Sequence, residues 1–285
     1  MREALNSVTL FNTIAMIRSE KMTPILVVEG DDDLLAMKRH LTEALILLKG
    51  IGGKSGVISA ARSAQTRGVG DVLFMVDADY DDLIDDARCL PPSVATSTHH
   101  DLFMDTILVA PSVIERVVEV HVRHSERRGG GSVVASTIVT LSLALAASIA
   151  PLRIVNERDS YGLRLENFPF GKVSSLEPSV REIAALAISR SNSTVTVEEL
   201  ALKIDGQASL LPYPTARLVG DHDFFRALSR VLSLHGVTGV GAEALFSAFL
   251  GAIDCRHIMM TPWYATIDSW ARERGAVGFA CPCAV

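Results

Sequence analysis

Cysteine is scarce, with four in 285 residues. That excludes a disulfide scaffold. Cys89 and Cys255 stand alone, and Cys281 and Cys283 lack the second pair that a structural zinc site needs. Reduced thiols are the expected state. A basic excess is missing too: 27 Lys and Arg face 33 Asp and Glu, for a net charge of −6. A simple electrostatic coat for nucleic acid would be strongly basic. No internal repeat and no low-complexity tail is visible. The N-terminal stretch mixes charge into its apolar residues and has no signal-peptide design. Long apolar runs are absent but for one, Val133 to Ala150, which is uncharged and rich in Ala, Ser and Thr. It reads as the core helix of a helical domain rather than a membrane span. Together these absences predict a cytoplasmic globular protein that does not bind membranes.

What is present is an alternation. Residues 24–29 form an apolar run ending in an acid, as a buried parallel strand does. Helical spacing follows from Asp31 to Leu41. The apolar stretch Ala44 to Leu48 fits a strand or a helix end. A glycine-rich turn, GIGGKSG at 50–56, leads into a helix reaching about Arg67. Asp71 to Val76 is a second buried strand and Val94 to Thr98 a third candidate. Strands alternating with helices predict an α/β fold with a parallel sheet flanked by helices. From about residue 112 the texture becomes mainly helical. The expected organisation is an α/β domain over 1–111 and a mainly helical C-terminal domain over 112–285.

Parallel sheets place their chemistry at the carboxyl ends of the strands. The first strand ends in Glu29, with Asp33 one helical turn on. The second ends in Asp77 and Asp79, whose shared parity puts both on one side of an extended backbone. The third runs into Asp101. Crowded carboxylates repel and raise each other's pKa, and a divalent cation relieves that. Oxygen-only ligands select a hard ion, Mg²⁺ or Mn²⁺, and such ions act on phosphate esters. Asp81, Asp82, Asp85 and Asp86 read as a solvated helix face or cap. Ten of the 33 acids lie within 29–33 and 77–86, leaving 23 against the 27 basic residues. The net −6 therefore does not exclude a nucleic-acid substrate.

The segment ILVVEGDDD at 25–33, followed by LFMVDADYD at 73–81, resembles the TOPRIM domain of primases, topoisomerases and OLD-family nucleases. Glu29-Gly30 and the Asp77-x-Asp79 pair match its two motifs, and Asp33 stands where OLD-type nucleases carry a further acid. GGKSGV at 52–57, TSTHHDLFMD at 96–105 and GDHDFFRALS at 220–229 are similar to an OLD-related family of bacterial defence proteins. Its members are encoded alone or beside an ABC-type ATPase, as in the PARIS anti-phage system. Asp101 takes the place of a glutamate in that family's third motif.

The resemblance implies a TOPRIM-like sheet and metal-dependent phosphodiester cleavage of RNA, such as tRNA, or of DNA. It implies Glu29 as general base or metal-organising acid, Asp77 and Asp79 as Mg²⁺ ligands, and Asp33 and Asp101 as further ligands. Lys54 is the candidate for the cation that stabilises the transition state. It also implies a toxic effector controlled by an ABC-type ATPase partner, and a homodimer. The alternatives are a non-catalytic TOPRIM module that holds a protein partner, and a nucleotide-binding regulator built on the Gly50–Ser55 loop. A full P-loop is excluded because Leu48 stands where its first glycine belongs. The basic residues His121, Arg123, His124, Arg127 and Arg128 fit either a solvated helix face or a phosphate contact.

Overall fold

The computed structural model describes residues 2–84, 89–126, 133–211 and 215–280. In chain order the elements run α1 (Arg2–Glu20), β1 (Ile25–Val28), α2 (Asp31–Lys38), β2 (Ile46–Lys49), α3 (Gly53–Thr66), β3 (Val72–Val76), α4 (Asp81–Ile84), β4 (Val94–Thr96) and α5 (Leu102–Val109). They continue with α6 (Pro111–Glu126), α7 (Ala135–Ala147), α8 (Ala150–Arg158), α9 (Val180–Ile188), α10 (Val197–Ala208) and α11 (Asp221–Leu234). The last are α12 (Ala242–Ala252), α13 (Cys255–Met259) and α14 (Pro262–Arg272). The chain forms two units. One comprises Met1–Ala78, Ala87–Val109 and Asp254–Val285, the other Asp79–Asp86 and Ala110–Ile253.

The first unit is α/β. Its four strands are all parallel, in the order β2-β1-β3-β4. The central strands β1 and β3 are buried along their whole length. That is why they read as unbroken apolar runs instead of alternating ones. Leu10, Phe11 and Ile14 of α1 and Val57, Ala60, Ala61 and Ala64 of α3 pack with Ile25, Val27 and Phe74 of the sheet. Each large apolar side chain buried there contributes about 1.5–3 kcal/mol. The register sets Val28 opposite Met75 and Val76 opposite Thr96, so the three strands stop nearly level.

One division falls between Val109 and Ala110, and two segments depart from a single cut there. The C-terminal stretch from Asp254 returns to the first unit. A bridge between Leu41 and Phe279 and the bonds Thr42 N–H to Gly278 O and Ala280 N–H to His40 O tie it there. Asp79–Asp86 belongs to the second unit. Cys255, expected as a reduced thiol, is disulfide-bonded. Cys281 and Cys283 lie outside the described residues. Cys89 is free and exposed.

The second unit is helical throughout its described elements. The apolar face of α11, with Phe224, Leu228 and Val231, packs against α7. The run over 133–150 forms α7 and the first residue of α8. Ala135–Arg158 is long and apolar enough to cross a membrane, yet 67% of its apolar window is buried, as a core helix requires. Its helical course is interrupted at Ser148 and Ile149, ahead of Pro151 in the first turn of α8. Arg153 of α8 holds Asp223 of α11 through two bonds of 2.5 and 2.6 Å.

Glycine at position 50 is required by space. A Cβ there would lie 2.4 Å from Val57 Cγ2 and 3.0 Å from the carbonyl oxygens of Val28 and Glu29. Gly70 has open space around it. Gly50→Ala is expected to lower stability by about 1–3 kcal/mol through overpacking, and Gly70→Ala to leave it within about 0.5 kcal/mol. Urea unfolding of both variants checks this.

Candidate functional site

The acids at the carboxyl edge of the sheet are placed by backbone geometry. β1 and β3 end at Val28 and Val76, so Glu29 and Asp77 follow from neighbouring strands. The Glu29 carboxylate accepts the Asp77 N–H at 3.3 Å. Asp33 closes the first turn of α2 by accepting the Gly30 N–H at 2.9 Å. Asp77 Oδ1 accepts the Leu102 N–H at 3.3 Å, which joins the end of β3 to the start of α5.

Asp101 caps α5, its Oδ1 accepting the Met104 N–H at 2.7 Å while Oδ2 lies 3.4 Å from His100 Nδ1. Lys54, in the first turn of α3, donates to the Ala78 carbonyl at 3.1 Å. The Ala78 N–H donates to Ser97 Oγ at 2.8 Å. The two peptide groups that flank Ala78 are thus held, one by α3 and one by the loop after β4.

Asp33 is the electrostatic reporter of this edge. Burial lifts its carboxyl to about 6, against the pull of the Gly30 N–H, and the charges of Glu29, Asp101 and Asp32 add to the rise. Glu29 and Asp101 therefore lie close enough for their charges to act on Asp33, and Asp33 and Asp101 are both buried. Asp31 faces outward instead, paired with Lys49 at 2.6 Å in an exposed bridge that contributes little. Among the described residues no three His, Cys, Asp or Glu side chains form a ready-made metal cage. The donor set is nonetheless all oxygen, and its mutual repulsion is of the kind a hard divalent ion offsets.

The structure brings together Glu29, Asp33, Lys54, Asp77 and Asp101 in the first unit. It does not support the parity argument for Asp79. The strand has already ended at Val76, and Asp79 adopts a left-handed φ of +50°. An extended alternation cannot be carried through such a residue. Asp79 opens the segment that belongs to the second unit. Asp82 pairs with Arg217 at 2.6 Å within that unit, and Asp85 and Asp86 lie outside the described residues. In α6, Arg123 is paired with Glu119, and burial lowers the pKa of His121. Arg127 and Arg128 lie outside the described residues.

Asp105 is the residue that sequence reasoning missed. It is wholly buried, and accepts the N–H groups of Thr98 at 3.0 Å and His99 at 2.8 Å and His99 Nδ1 at 2.6 Å. Its carboxylate fixes the loop between β4 and α5 on which Ser97 and Asp101 sit. The available signal was an acid inside the otherwise apolar helix LFMDTILV, because a buried carboxylate needs donors.

The raised pKa of Asp33 sets a pH dependence. An acid that holds its proton more tightly when folded stabilises the fold fully below its unfolded value near 3.8. That advantage is lost as pH rises through about 6. The shift corresponds to about 3 kcal/mol. Asp33→Asn keeps an acceptor for Gly30 but carries no charge. In EDTA the variant is expected to exceed the parent in stability at pH 7 and to match it near the unfolded value. Urea unfolding across that range tests this, and a stability difference independent of pH contradicts it.

No protein-family model and no curated protein matches this chain.

Proposed function

We propose that the acidic edge of the first unit binds Mg²⁺ or Mn²⁺ and hydrolyses phosphodiester bonds of nucleic acid. The observation that carries the reading is the shared neighbourhood of Glu29, Asp33 and Asp101, with the Asp33 carboxyl lifted to about 6, beside Asp77 at the carboxyl edge of a parallel sheet. Glu29, Asp33, Asp77 and Asp101 are the residues that would hold the ion. A divalent ion there supplies Lewis-acid stabilisation of charge on a phosphoryl oxygen. Glu29 takes the proton of the attacking water. Lys54, anchored on the Ala78 carbonyl, adds positive charge close to the acids and offsets negative charge that grows in the transition state. The substrate is RNA, tRNA included, or DNA. The resemblance noted in the sequence extends the proposal to a toxic anti-phage effector controlled by an ABC-type ATPase.

One observation favours a second reading. Glu29, Asp33, Asp77 and Asp101 each already accept a backbone N–H. A carboxylate used to order loops fits a non-catalytic module that holds a partner. Metal titration separates the two readings. Saturable Mn²⁺ binding that disappears in Glu29→Gln/Asp77→Asn is expected for the nuclease, and its absence in the parent protein favours the binding module. With Mg²⁺ and mixed labelled RNA and DNA pools, Glu29→Gln is expected to lose activity by about 10²-fold or more. Cleavage as fast by Glu29→Gln as by the parent would falsify the assignment.

A further inference from the structure

The second unit carries an unbalanced group of arginines that the acid-edge reading does not use. Within this unit Arg123, Arg153, Arg158, Arg181 and Arg217 each pair with a carboxylate. Among the described residues Arg190, Arg226 and Arg230 have no carboxylate partner. Arg190, at the end of α9, donates to the Asn167 carbonyl, and Arg226 of α11 donates to the Asn167 side chain. Arg230, one turn further along α11, donates to the Val173 carbonyl, and its Nε is buried with no hydrogen-bond partner. Arg164 is brought alongside by its N–H bond to Ser191 Oγ, next to Arg190. Lys172 is exposed on the same loop.

Apolar side chains anchor this loop. Leu163, Leu165, Phe168, Phe170 and Val173 are buried, and the Phe168 and Phe170 rings pack edge to face at 5.2 Å. Asn167 sits between the apolar anchors with φ +56°, which turns the chain and offers both its carbonyl and its amide oxygen outward to two guanidinium groups. Glu166 is the sole acid between Leu163 and Val173 in the sequence. Glu182, on the neighbouring α9, is already bound to Ser174. Like charges held together by neutral acceptors keep their positive potential. Guanidinium groups suit phosphate oxygens because they are planar, always charged and weakly hydrated.

We propose that the face formed by Arg190, Arg226 and Arg230 around Asn167 docks the phosphate backbone of nucleic acid. The proposal rests on the nuclease reading for the identity of its polyanion, and it concerns binding rather than cleavage. The chemistry is sequence-independent, since contacts to phosphates position a strand and do not read its bases.

The test is fluorescence anisotropy with short labelled single-stranded RNA and DNA, using the full chain as Glu29→Gln in EDTA so that nothing is cut. Arg190→Gln with Arg226→Gln is expected to weaken binding about ten-fold or more, and to flatten the slope of log K against log salt by about 1.4 for single strands. Arg190→Lys with Arg226→Lys keeps the charges and is expected to keep the slope. Arg181→Gln, whose partner is Glu198, serves as the control and changes neither. An unaltered slope and affinity in the Gln pair overturn the proposal. A loss in the Lys pair as large as in the Gln pair also overturns it, because the bonds to Asn167 rather than the charges then matter. Binding of polyglutamate with no binding of either nucleic acid reassigns the face to an acidic protein. If the Gln pair loses binding while the parent fails to cut and binds no Mn²⁺, the nuclease reading falls and this surface stands. Normal cleavage by the parent with unaltered binding by the Gln pair does the reverse.

Discussion

The first unit depends on the complete burial of β1 and β3. Every side chain of Ile25–Val28 is closed off from water, and β3 is nearly so. A strand buried on both faces has no room for a polar side chain along its length. Polar chemistry can begin only where the strand stops. The parallel register makes neighbouring strands stop together, so the first residues released from the sheet, Glu29 and Asp77, emerge side by side. Apolar confinement and parallel pairing together concentrate the charge, and burial first, with the neighbouring charges added, raises the pKa of Asp33.

Much of this was legible in the sequence, for a physical reason. Buried parallel strands produce unbroken apolar runs, and a close approach of backbones demands glycine, so β1, β3 and the turn before α3 announce themselves. The position of Gly50 over the end of β1 is the clearest instance. Glu29, Asp33, Lys54 and Asp77 follow because each is adjacent in sequence to one of those features. The parity argument for Asp79 failed because it holds only while the backbone stays extended, and a left-handed residue three places after the strand ends that condition. The return of the chain to pair Phe279 with Leu41 was illegible, since those residues are far apart in sequence and no local pattern connects them. The arginine face is hidden for the same reason. Asn167, Arg190 and Arg226 come from three separate segments and meet only through folding.

Charge in this protein is sorted by how it is compensated. The carboxylates of the acid edge lean on backbone N–H groups of the turns they organise. Arg153 and Asp223 compensate each other inside the helical unit. The arginines around Asn167 lean on carbonyl and amide oxygens, which satisfy hydrogen bonds without cancelling charge. The net charge of −6 therefore hides two strongly polarised regions, each oriented by neutral groups.

The interleaving of the two units has a consequence for how the chain comes off the ribosome. The first unit needs residues 254–280, which bond to Thr42 and His40 near the front of the chain. The helical unit between them is complete by Ile253. Domains fold as they emerge, so the helical insert is free to settle first, while the sheet waits for a segment synthesised more than two hundred residues after its first strand. The contacts of the first unit with residues 254–280 can form only after the helical insert has been synthesised.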